Sequence, residues 1–227
     1  MLLTQERRMN IDFSTILKGM VALFREPTNL NYVYDIEDGL RNTKATLSAL
    51  EVMKSHPEVA QLIQERYLAP SPDIETLLNY PEGTLGYAYA SYIKSAGFDP
   101  NFYRPVKVES EIDYVLLRIR QTHDIWHIVT GFETDGLGEL GLKAFELAQT
   151  RRPLAVVLVG GGLLITLIKS PEIMKALLDR IAVGYRMGSK AKPLLASKWE
   201  EHWDKPLSQW RVELGIDTTS LYSLSKS

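Results

Sequence analysis

Residues 110–150 read SEIDYVLLRIRQTHDIWHIVTGFETDGLGELGLKAFELAQT, and the order of caps, apolar residues and glycines along this stretch decides the fold. Ser110 and Asp113 stand at capping-box spacing, which marks a helix start. The apolar run behind them predicts a helix ending near Gly131, about 30 Å from its first turn at about 1.5 Å per residue. Gly131, Gly136 and Gly138 permit the chain to reverse. A second helix is therefore expected from near Gly138 to Thr150, antiparallel to the first.

The rest of the chain follows the same helical period. Leu47, Leu50 and Met53, then Val59, Leu62 and Ile63, predict two short helices parted by SHPE, with Pro57 in the first turn of the second. Pro70, Pro72 and Pro81 act as breaks, and Gly97 as a stop. FYRPVKVES reads as an edge strand or a loop, because Pro105 cannot donate to a ladder. The segment PLAVVLVGGGLLITLI is uncharged and apolar on every side, which leaves two readings. Either it is a central buried helix, or Leu158, Val159, Gly160, Gly161, Gly162 and Leu163 wall a lipid groove in which glycine allows close approach. It is not a phosphate loop, since no Lys-Ser/Thr follows the glycines. The C-terminal third is read as helical with proline punctuation, placing His202 on one helix with Trp199 and stacking Trp199 on Trp203. Phe13, Ile16, Leu17, Met20 and Phe24 predict an amphipathic N-terminal helix, interrupted by Lys18 and without the cleavage site of a signal peptide. The expectation is an all-α, single-domain helical bundle over residues 1–227, with an apolar groove or tunnel between helices and residues 1–40 as a helical extension.

Composition narrows the function. A net charge of -2 gives no footprint for nucleic acid, and no segment holds the roughly 18 uncharged residues that cross a bilayer. With no cysteine, disulfides, thiolate sites and a cysteine nucleophile are excluded. Any metal must sit on nitrogen and oxygen.

The hairpin offers such ligands. His123 and His127 are one turn apart on one face, and Asp124 borders it. On a continuous helix Glu139 would lie about 18 Å beyond His127, but the reversal returns it to similar depth. Two imidazoles and two carboxylates then face one point, a set suited to zinc or iron. The competing reading is two histidines sharing a half-exposed face, and Glu133 and Asp135 are rival carboxylates in the loop. His56 and His202 read as surface or core histidines. Arg118 and Arg120 lie upstream on the same helix, either facing an anionic ligand or paired with ordinary acids.

HDIWH followed by eleven residues and Glu139 resembles the HDxxH(x)11E signature of the coenzyme Q biosynthesis protein 4 family. The similarity extends to YPEGTLGYAYASYI, RIRQTHDIWH and GYRMGSKAKPLL, and covers about two-thirds of the chain. The resemblance implies a protein of ubiquinone or prenylquinone biosynthesis that holds a divalent metal, usually zinc with magnesium or iron as alternatives, through His123, Asp124, His127 and Glu139. It further implies an isoprenoid lipid or polyprenyl phosphate as ligand, the other quinone-biosynthesis enzymes and a membrane surface as partners, and a role in oxidative decarboxylation at C1 of a prenylated benzoate. With no transit peptide evident, a bacterial-type, cytoplasmic protein peripheral to the membrane is expected, and a homodimer by base rate.

Four functions fit these readings. The first is a metal-dependent decarboxylase/hydroxylase, with Arg118 and Arg120 at the head group and the glycine segment along the tail. The second is a non-catalytic lipid-binding scaffold that organises the biosynthetic enzymes. A phosphohydrolase using the HD pair lacks a further upstream histidine except His56. A purely structural metal would pin the reversal.

Overall fold

The computed structural model describes residues 29–224 together with residues 18, 19 and 22, and among them it contains eleven α-helices and no strand. The amphipathic helix expected over Phe13–Phe24 falls largely outside the described residues. Helices α1 (Leu30–Leu40), α2 (Lys44–Lys54), α3 (Pro57–Glu65), α4 (Ile74–Leu77) and α5 (Leu85–Ala96) precede the hairpin. Each of them except α3 starts on a side-chain cap, from Asn29, Thr43, Asp73 and Thr84. Helix α3 instead places Pro57 in its first turn, where a missing N–H leaves no bond unmade. FYRPVKVES forms a loop, and Gly97 closes α5 at φ +65°.

The hairpin is α6 (Glu111–Thr130) and α7 (Gly136–Thr150). Ser110 and Asp113 complete the capping box, and Gly131 ends α6 at φ +80°. Helix α7 begins two residues before the expected start, because the Asp135 carboxylate accepts from the Gly138 amide at 2.7 Å. Helices α8 (Pro153–Lys169), α9 (Met174–Lys190), α10 (Leu207–Leu214) and α11 (Thr219–Leu224) follow. The main core draws on α2, α3, α5, α6 and α7, with Tyr114, Trp126, Phe145 and Trp199 among its fully buried side chains.

Two expectations change. Helix α8 is not central: its inner side buries Leu154 and Leu158 against Ile36 of α1, while Val156, Leu164, Leu167 and Ile168 are exposed, Ile168 at 73%. It is covered on one side only. The tryptophans also part company, because residues 199–201 form a single 3-10 turn that Pro206 keeps from joining α10. Trp199 stacks on Trp210 with centroids 4.6 Å apart, and Trp203 packs on Tyr89.

An alternating series of buried charges joins α1, α6, α7 and the start of α8. Lys143 donates to Glu146 at 2.8 Å, Arg152 donates to Glu146 at 2.8 Å and also to Glu37, and Glu37 accepts from Arg120. All five side chains are at most 15% exposed. Burial alone would raise the Glu146 carboxyl, but the charges of Lys143 and Arg152 outweigh it and hold it at about 2.

Removing one member leaves buried charge without a partner, so Glu37→Gln should cost about 3–5 kcal/mol, read from the urea midpoint at unchanged slope. The acid limb should follow Glu146. Its folded value lies below its unfolded one, so its contribution is complete above the unfolded value near 4.5 and is lost as pH falls toward about 2. Unfolding midpoints of Glu146→Gln, followed across that window, should fall less steeply than those of the unsubstituted protein.

Candidate metal centre

His123 and His127 project from one face of α6, and Glu139 from the first turn of α7. The reversal brings them together. His127 Nε2 lies 3.0 Å from Glu139 Oε1 and 3.3 Å from His123 Nε2, and His123 Nε2 lies 3.6 Å from Glu139 Oε2. One ligand atom from each residue falls within 4.8 Å of the others. His127 is 3% exposed, against 24% for His123 and 39% for Glu139, so the group is deep at one end and open at the other.

The approach of Glu139 depends on glycine. A Cβ on Gly138 would strike the Glu133 carbonyl, so no other residue fits between the loop and the first turn of α7. His127 Nδ1 lies 2.9 Å from the Phe132 carbonyl oxygen, which can only accept. The proton therefore belongs on Nδ1, and Nε2 presents a lone pair to the cluster. This is the arrangement of a metal-binding histidine held by a backbone carbonyl. A lone pair beside a carboxylate oxygen and a second imidazole nitrogen makes a nitrogen–oxygen donor set that fits a divalent ion.

The electrostatics agree with a ligand set. Burial lowers His123, assisted by the Lys143 charge, which keeps its imidazole neutral and available. Burial would raise Glu139, but its close approach to His123 and His127 overrides it and holds the carboxyl below the usual carboxylate range. Burial raises Asp124, against the opposing charges of His123 and His127.

Three of the four expected ligands thus meet. Asp124 is near enough for both imidazoles and Glu139 to bear on its carboxyl, yet it stands outside the 4.8 Å group. Of the loop carboxylates, Asp135 caps α7, and Glu133 is exposed outside the group. His56 and His202 are exposed and elsewhere.

The arginines are engaged away from the cluster. Arg118 projects about half a turn round α6 from His127, is wholly buried, and donates to both Glu200 oxygens at 2.6 and 2.9 Å and to the Ser197 carbonyl. Arg120 shares the histidine face but donates to Glu37 and to the Arg104 carbonyl, with its guanidinium 4.3 Å from the Tyr34 ring centroid. The cation beside the cluster is Lys143. It was legible in the sequence, being one turn past Glu139 on the same face of α7. Tyr92 of α5 also faces this region, its hydroxyl pushed up to about 12 by burial and by the Asp124 charge. No local spacing could have announced it.

On the glycine segment, Leu158 and Gly161 are buried and Val159, Gly160, Gly162 and Leu163 are half-buried. A Cβ on Gly162 would collide with Leu140 of α7, whereas Gly160 and Gly161 face open space.

Glu139→Ala or His127→Ala should abolish zinc uptake in calorimetric titration while the helical circular dichroism persists. Gly138→Ala should weaken uptake by at least about tenfold without touching a ligand, because it displaces the turn that carries Glu139.

The chain matches the family model described as Coenzyme Q (ubiquinone) biosynthesis protein Coq4 over residues 12–220. It is 27% identical over 201 residues to the mitochondrial ubiquinone biosynthesis protein COQ4 homolog of Aedes aegypti, covering 87% of this chain and 68% of that protein. With the Rattus norvegicus homolog it shares 32% identity over 168 residues, 72% of this chain and 63% of the relative. The match therefore spans about two-thirds of the length of these relatives. A crystal structure of a candidate ubiquinone biosynthesis protein from Nostoc punctiforme superposes with a TM-score of 0.82 at 36% identity, covering 92% of this chain and all of that one. Signature, helical fold and matched length agree, and the chain belongs to the Coenzyme Q (ubiquinone) biosynthesis protein Coq4 family.

Proposed function

We propose that this member of the family acts in ubiquinone or prenylquinone biosynthesis by holding the polar head of an isoprenoid-tailed aromatic acid at a divalent metal on His123, His127 and Glu139, for replacement of the C1 carboxyl by hydroxyl. The observation that carries the reading is the convergence of two Nε2 atoms and a carboxylate, with His127 Nδ1 tied to a carbonyl. A divalent cation held there would supply Lewis-acid polarisation of the head group. Lys143, paired with Glu146, adds its positive charge beside His123, where charge was first expected from Arg118 and Arg120. Asp124, its carboxyl raised, and the Tyr92 hydroxyl are the groups positioned to hold a proton near the head. Loss of the carboxyl as carbon dioxide with gain of a hydroxyl from water releases two electrons and two protons, so dioxygen must enter as co-substrate and leave as hydrogen peroxide.

The isoprenoid tail would lie along apolar surface, and the half-buried Val159, Gly160, Gly162 and Leu163 offer one wall. A second reading, a scaffold that presents bound lipid to other enzymes, is favoured by the exposed apolar residues Leu164, Leu167 and Ile168. Among the described residues no helix is long and apolar enough to cross a membrane, so contact with a membrane would be made from its surface.

Purified protein loaded with iron or zinc and given a prenylated 4-hydroxybenzoate with dioxygen should yield the decarboxylated, hydroxylated product in a single turnover, seen by mass spectrometry. The Glu139→Ala variant should yield none. Tight lipid binding without product under either metal would sink the enzymatic reading and leave the scaffold.

A further inference from the structure

We propose that Phe132 is a positioning residue, whose side chain fixes the tautomer of His127 through its own backbone carbonyl. The inference deepens the metal-centre reading, since that tautomer is what offers Nε2 to a cation. Phe132 is the second residue of the reversal, and its ring is 2% exposed. The ring edge rests against bare backbone: a Cβ on Gly141 of α7 would lie 2.5 Å from Phe132 Cε1 and 2.7 Å from Cδ1. A Cβ on Gly184 of α9 would lie 3.3 Å from Phe132 Cζ and would collide with the Gly141 carbonyl. The ring thus fills a slot that exists only because both helices lack a side chain there.

The same turn is held from its other side. Arg211 of α10 donates to the Val129 and Ile128 carbonyls at 2.9 and 3.0 Å, which fixes the last turn of α6. Between that clamp and the seated ring, the Phe132 carbonyl has one direction available, and it accepts from His127 Nδ1 at 2.9 Å. Without the ring in its slot the residue could rotate. His127 would then lose the acceptor that keeps its proton on Nδ1, and Nε2–H, useless as a ligand, would compete.

The test is long-range nitrogen–proton NMR on full-length protein with labelled histidine, at alkaline pH where imidazole is neutral, with and without zinc. The unsubstituted protein should show His127 protonated on Nδ1 even before zinc is added. Phe132→Met, close in volume but without a flat edge, should give a mixture of tautomers and a zinc affinity lower by about tenfold or more. Leu62→Ala, a core change remote from the turn, should lower stability while leaving tautomer and affinity unaltered. Nε2–H in the unsubstituted protein overturns the proposal without any variant, and so does folded Phe132→Met with an unshifted tautomer. If the unsubstituted protein holds Nδ1–H, Phe132→Met loses it and neither takes up zinc, the role of Phe132 stands and the metal reading fails.

Discussion

The contact on which the site depends is the close approach of backbone to backbone around the reversal between α6 and α7. Helix α6 must stop at Gly131, where φ is positive, and α7 must pass so near the loop that Gly138 can carry no side chain. Glu139 reaches the depth of His127 for that reason alone. The same principle repeats outward: Gly141 meets the Phe132 ring, Gly184 meets the Gly141 carbonyl, and a Cβ on Gly188 would lie 2.5 Å from the Phe145 carbonyl oxygen. Three polar ligands are therefore placed by a series of glycines that touch no ligand chemistry themselves.

The buried charges serve the other end of the hairpin. Glu37 bridges arginines from α6 and from the start of α8, and Glu146 ties that start to Lys143, one turn from the cluster. The series carries three cations and two anions, so by itself it holds one positive charge in excess. The arrangement also makes α1 part of the site's support, although α1 lies nearly a hundred residues before Glu139 in the chain.

Much of this was legible in the sequence because it is local. Capping at Ser110, the stop at Gly131 and the spacing of His123, His127 and Glu139 all depend on residues within one helical hairpin. Lys143 was equally readable at i+4 from Glu139. What sequence could not reveal is decided across long separations. Whether Arg118 faced a ligand or an acid turned on Glu200, eighty-two residues away, and Arg120 turned on Glu37. Tryptophan spacing suggested one helix where Pro206 and a 3-10 turn instead send Trp199 to Trp210. For α8, uniform apolarity signalled burial, but periodicity alone does not say whether a second layer covers the outer face.

That helix carries a further consequence. Glycine lowers helix stability by about 1 kcal/mol relative to alanine at each position. At Gly162 the loss admits Leu140, whereas Gly160 and Gly161 border open space and gain no packing in exchange. The midpoint of α8 thus carries two successive glycines whose missing side chains are not repaid by packing. A helix with glycines at its centre yields to bending more readily than one with alanine there, so the exposed apolar side of α8 is borne on the part of the bundle with the least side-chain support.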